Sequence, residues 1–226
     1  YKTDKKIFVI KRGIDTDYFS VKNVSDAEEQ KLRNYLDVPH DKFLLLLPGR
    51  LTYWKGQKLF IEAINLLKSQ NKFNDCFALI VGSDQGRKKY KNELIDLVSK
   101  YNLNNFVKIA HSINKIPVAY SISNLVISSS IEPEAFGRVS VEAQSMEKPI
   151  LASNIGGSTE TIIPEKTGWL FKSESPSELA NSIEMIKKMD KKILDSVGRQ
   201  GRKNVLDNYS KDTMCSKTLE IYESLV

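Results

Sequence analysis

The stretch PEAFGRVSVEAQ, residues 133–144, sets two carboxylates, Glu134 and Glu142, eight positions apart. Glu134 precedes a helix start expected near Phe136 or Gly137, where the helix dipole favours its ionised form. A carboxylate held there can accept hydrogen bonds from hydroxyls such as those of a sugar. Eight positions are roughly 800° of helical rotation, so Glu142 returns near the same face, about 8–12 Å further along. Two acceptors so placed can hold opposite ends of one elongated ligand. The plain alternative is a helix cap at Glu134 and a surface residue at Glu142.

Other loops carry complementary chemistry. In PGRLTYWKG, residues 48–56, Gly49 lets the backbone turn tightly, and Arg50 and Lys55 flank a helix entrance. Free N–H groups and the dipole already favour an anion there. A guanidinium and an ammonium beside them make a diphosphate clamp; the alternative is a surface loop with two cations. In SNIGGSTETI, residues 153–162, Gly156 and Gly157 precede a short helix. Bare amides at paired glycines suit a phosphate or sugar oxygen, unless the pair serves chain geometry alone. VGSDQG, residues 81–86, resembles a nucleotide-binding turn, but no Gly-x-Gly-x-x-Gly occurs in the chain. That argues against an NAD- or FAD-dependent oxidoreductase. His111 closes a strand in AHSI; alone in a loop, with no partner in the sequence, it reads as structural.

These loops need a scaffold that gathers them. Apolar runs read as strands at Ile7–Ile10, Phe43–Leu47, Phe77–Val81, Phe106–Ile109, Leu125–Ser129, Pro149–Ala152 and Gly168–Phe171. Helical patterns lie between, near 57–70, 89–101, 114–122, 137–147 and 157–162; LFIEAINLL, residues 59–67, shows the i, i+3, i+4 spacing of one buried face. Strand–helix alternation with continuously apolar strands implies an α/β, doubly wound, mostly parallel, Rossmann-like sheet covered on both faces. Such sheets bind ligands beyond the carboxyl ends of their strands, where these loops lie. Residues 41–175 form this unit. Residues 176–226 read as three helices packing on it, the first opened by SPSE in capping-box form. Residues 1–40, with a lone strand, a Gly-Ile-Asp turn and a polar helix around 25–36, read as the end of a preceding domain plus a hinge.

With 226 residues, 41% hydrophobic and 27% charged, the chain can bury one sizeable core and is not globally disordered. No apolar run approaches a membrane span. Cys76 and Cys215 form neither a metal spacing nor a disulfide framework, which fits a reduced, cytoplasmic setting. A net charge of +6 favours phosphate ligands, anionic lipid surfaces or nucleic acid, or is a scattered lysine-rich surface.

GRLTYWKG, EAFGRVSVEA, EKPILAS, GGSTE and TGWLF, in that order between about residues 43 and 172, resemble the retaining group 1 (family 4) glycosyltransferases of the GT-B fold. The matching part is their C-terminal, nucleotide-sugar-binding domain. IFVIKRGIDTDYF resembles the segment that ends the N-terminal domain and enters the hinge. The resemblance implies that Arg50 and Lys55 hold the donor diphosphate and that Glu134 contacts the donor sugar. It places the backbone of Phe136 and Gly137 near sugar and phosphate, and Glu142 on the ribose hydroxyls. Departures from the family pattern are Ala135 and Glu147, where glycine is usual, and His111, near another common glycine. No Asp-x-Asp metal motif is apparent, so no metal and no cofactor is expected. The expected partners are a nucleoside-diphosphate-sugar donor and a glycan or glycolipid acceptor. Nucleic acid is not among them, and peripheral contact with the cytoplasmic face of a membrane is left to the full-length protein. A donor-binding fragment, inactive alone, is the expectation. A nucleotide-sugar epimerase of the same fold and a non-catalytic nucleotide-binding module are the alternatives.

Overall fold

The computed structural model describes residues 7–225. Six strands, β1 (Phe43–Pro48), β2 (Cys76–Val81), β3 (Val107–Ala110), β4 (Leu125–Ser128), β5 (Ile150–Ser153) and β6 (Trp169–Phe171), form one sheet. Its order is β3-β2-β1-β4-β5-β6, and every pairing is parallel. This is the doubly wound, Rossmann-like arrangement expected.

The runs are strands because both faces are covered. Leu45 and Leu47 join a core layer with Leu59 and Ile64 of α2 (Gln57–Ser69), Leu94 of α3 (Lys88–Lys100) and Leu179 of α7 (Pro176–Lys187). Leu44 and Leu46 point the other way, to Leu32 and Leu36 of α1 (Asp26–Leu36), Val118 of α4 (Pro117–Ile122) and Val141 of α5 (Arg138–Ser145). Such fully buried aliphatic side chains contribute about 1.5–3 kcal/mol each. α6 (Ser158–Thr161), α8 (Lys191–Asn208) and α9 (Lys211–Glu223) complete the chain. α5 packs on α8, whereas α9 has no buried residue. Among the described residues, no helix is long and apolar enough to cross a membrane.

Three expectations need correction or refinement. Ile7–Ile10 forms no strand, because no strand among the described residues offers it a ladder; Ile7 and Val9 stay exposed. α4 starts only at Pro117, where proline's missing N–H costs nothing in a first turn. At SPSE, Ser175 accepts from the Glu178 N–H, but the reciprocal capping box forms elsewhere, between Ser25 and Glu28 at the start of α1. The segment read as the end of a preceding domain plus a hinge, residues 1–40, joins the second core layer from Ile14 on, through Phe19, Leu32, Leu36 and Val38; its residues 1–6 lie outside the described residues. Arg202 of α8 fastens it by donating to the carbonyls of Thr16 and Phe19.

Candidate functional site

Strand order reverses between β1 and β4, and a crevice forms there at the carboxyl ends of the strands. A cleft of about 480 Å³ opens at that point, walled by the loops after β1, β2, β3 and β4. Gly49, Arg50, Lys55, Glu134 and Glu142 all line it. Residues 79 and 87 positions apart thus share one cavity because the two central strands end side by side. Phe136 lines an adjoining cleft of about 460 Å³, with Arg138 and Glu142 common to both. Gly137, Gly156 and Gly157 line neither.

Lys55 ends a short 3-10 turn, Tyr53–Lys55, and is buried. Its Nζ lies 2.7 Å from Glu134 Oε2 and 4.5 Å above the Trp54 ring. Ser130 Oγ donates to the other carboxylate oxygen of Glu134. The neighbouring Ser129 Oγ donates to the carbonyls of Lys55 and Gly56 at 3.2 and 3.0 Å. Two consecutive serines after β4 therefore anchor the lysine loop and the first glutamate. Arg50 differs: its side chain is exposed and makes no ion pair among the described residues, with its guanidinium carbon 5.8 Å from the Trp54 ring centre. A free guanidinium and a paired ammonium on one wall leave one uncommitted positive charge facing the cleft.

Glu142 sits in the first two turns of α5, which starts one residue beyond the expected glycine. Tyr120 OH donates to its Oε2 at 2.8 Å, and Arg138 pairs with its Oε1 at 3.0 Å. Burial pushes its carboxyl above the ordinary value; Tyr120, Arg138 and Lys55 pull the other way. Each oxygen keeps a lone pair for a further donor. Gly137, at φ +72°, is the N-cap of α5 and brings no side-chain cap, so first-turn N–H groups remain for an anion.

The paired glycines correct the sequence reading. Gly157 N–H is not bare: it donates to the Glu134 carbonyl at 2.6 Å. A Cβ on Gly156, at φ +56°, would stand 2.6 Å from Glu134 N, and one on Gly157 2.4 Å from the Phe136 carbonyl carbon. The pair backs the Glu134 loop from behind. His111 is exposed, with Nδ1 2.8 Å from Ser112 Oγ. The sequence reading passed over one Asp-x-Asp spacing, Asp15-Thr16-Asp17, but it folds as a turn: Asp15 accepts from the N–H groups of Asp17 and Tyr18 and pairs with Lys211. Among the described residues, no three His, Cys, Asp or Glu side chains cluster as a metal site. Glu147, where the family has glycine, adopts φ +55°, a conformation glycine takes without strain.

Sequence reasoning passed over Tyr120, Arg138, Ser130 and Trp54. Arg138 and Trp54 stood inside the quoted motifs. Tyr120 lay in the helix expected near 114–122 and was not singled out.

Residues 28–204 match the model of the family "Glycosyl transferases group 1". The chain belongs to that family. Among solved structures it is similar to a glycosyltransferase from Rickettsia africae ESF-5, with TM-score 0.91 and 35% identity, over 97% of this chain and 57% of that one. An Anabaena protein, HepE, solved in complex with UDP and glucose, matches with TM-score 0.85 and 28% identity, over 96% and 57%. The C-terminal domain of a group 1 glycosyl transferase from Francisella tularensis matches with TM-score 0.73 and 26% identity, over 88% of this chain and 100% of that domain. The chain spans about half the length of the curated relatives it matches. Neither the epimerase nor the binding-module reading gains support from these group 1 matches.

Proposed function

We propose that this group 1 chain is the donor-binding C-terminal domain, residues 41–175 with the helices of 176–226, of a retaining family 4 glycosyltransferase. The observation that supports it is the convergence of Arg50, Lys55, Glu134 and Glu142 on one cleft at the β1/β4 switch point. The complexes of the Anabaena relative, with UDP and glucose and with UDP-glucose, support a nucleoside-diphosphate-sugar donor. Glu142 takes the ribose hydroxyls. Arg50, Lys55 and the first amides of α5 neutralise the diphosphate, with no metal ion required. Glu134, held by Lys55 and Ser130, accepts from the sugar. Gly49, Gly137 and the backbone at Phe136 give the ligand close approach; Gly156 and Gly157 hold the Glu134 loop in place.

In the transfer step the bond between the anomeric carbon and the diphosphate oxygen breaks, and the acceptor oxygen bonds to that carbon from the same face. The acceptor proton goes to the departing phosphate. Lys55 and Arg50 stabilise the charge that develops there. The acceptor, a glycan or glycolipid of cell-envelope synthesis, meets the donor at a preceding domain of the full-length protein on the cytoplasmic side. This unit alone binds donor and does not transfer sugar. A thermal-shift screen with UDP, GDP, ADP and their sugars tests the donor site: ligand at 100 times its dissociation constant should stabilise the chain by about 2.7 kcal/mol. No shift with any of them refutes it. Product analysis of the full-length protein separates transfer from epimerisation.

A further inference from the structure

Tyr120 is fully buried, yet it carries a hydroxyl. That hydroxyl's one hydrogen bond among the described residues goes to Glu142 Oε2, at 2.8 Å. Packing alone would be served by phenylalanine: the ring meets Phe19 edge-on at 6.1 Å, inside the second core layer. A buried hydroxyl without a partner costs free energy, so its presence here is tied to the carboxylate above it. Arg138 closes the other side. Its guanidinium sits 3.0 Å from Glu142 Oε1, with the arginine side chain 68% exposed and the glutamate 12%.

We infer that Tyr120 and Arg138 are positioning residues that hold Glu142 as an oriented carboxylate, so that it can accept the nucleotide's ribose hydroxyls. This rests on the donor-site reading above. Arg12, Asp15, Arg50 and Glu134 also line the clefts that Glu142 shares; the three groups that bear on its carboxylate are Tyr120 from α4, Arg138 from its own helix and Lys55 from the loop after β1. All three favour the ionised form, against a burial that disfavours it. A protonated Glu142 would present one O–H and lose acceptor capacity toward hydroxyls. Removing the Tyr120 donor should raise the pH at which Glu142 gives up its proton, and the acid limb of nucleotide binding should move up with it.

The test is calorimetric titration of this chain and its Tyr120→Phe and Arg138→Leu variants with UDP, GDP or ADP, whichever the wild type binds most tightly. Affinities are compared with wild type at each pH, so titration of the ligand phosphates cancels. Tyr120→Phe should bind more weakly than wild type at acid pH, by up to about tenfold, and approach wild type as the pH rises, because a lost charge-assisted hydrogen bond moves the carboxyl's titration up by about one unit. Arg138→Leu should show the same direction. A loss constant across pH would mean that the hydroxyl only packs, and would overturn the inference. Glu142→Gln binding like wild type would do the same, and so would a Tyr120→Phe profile parallel to wild type. A wild type that binds none of the three diphosphates overturns the donor reading itself, and this inference with it.

Discussion

At the residue scale, the site divides its charges between two jobs. Lys55 is already matched to Glu134 at 2.7 Å, while Arg50 is uncommitted. Arg50→Ala or Lys55→Ala should weaken nucleoside-diphosphate binding by roughly 1.5–3 kcal/mol, the scale of a hydrogen bond to a charged group. Lys55→Ala also strands a carboxylate, so its loss should be the larger for sugar-bearing ligands. Unchanged diphosphate affinity in the double variant, measured by calorimetry, would remove the clamp. The two glutamates should separate by ligand. Glu142→Ala should weaken UDP and UDP-sugar alike, whereas Glu134→Ala should leave the bare diphosphate nearly untouched and erase the increment due to the sugar. Equal weakening of both ligands by Glu134→Ala would make Glu134 a structural cap.

At the scale of elements, α1 shows how a distant helix supports the cleft. Glu28 completes the capping box with Ser25 and also holds Lys115, in the cleft-lining loop after β3, at 2.8 and 3.0 Å. The Lys115 ammonium, then the Ser25 backbone N–H, lower its carboxyl from 4.5 to about 2. A lowered carboxyl stabilises the fold above its unfolded value and loses that contribution as pH falls through the folded one. The advantage of wild type over Glu28→Gln in thermal melts should therefore be full at neutral pH and fade between pH 4.5 and about 2. A constant difference across that window would exclude this linkage. The same elements show what a sequence discloses. LLLLP and FALIV announced buried strands, because continuous apolar runs have few other stable uses. IFVI carried an equal β signal and formed no strand, since pairing is a property of neighbours. The positions of Arg50, Lys55, Glu134 and Glu142 were legible from loop chemistry. The Gly157 N–H bond to Glu134 and the Tyr120 hydroxyl beneath Glu142 were not, because each is a through-space contact that no local pattern encodes.

At the scale of the whole molecule, one end of the sheet, where the strands' carboxyl ends lie, supplies the entire proposed donor site. The positive side chains and helix amides there can balance a diphosphate without acidic ligands for a cation. Excess EDTA should accordingly leave UDP affinity intact; a tenfold loss on chelation, restored by Mg²⁺, would contradict this. The two cysteines give an independent check of the packing. Cys76 is buried on β2, with its thiol pushed up to about 12, chiefly by burial, while Cys215 is exposed on α9. Iodoacetamide should modify one thiol in the native chain and two after unfolding, because reactivity follows exposure and thiolate content.

The 2.6 Å bond from Gly157 N–H to the Glu134 carbonyl also makes a clock. Deuterium can replace that proton only when the turn after β5 parts from the loop that carries Glu134. Its exchange rate therefore counts how often the Glu134 loop lets go of its backing.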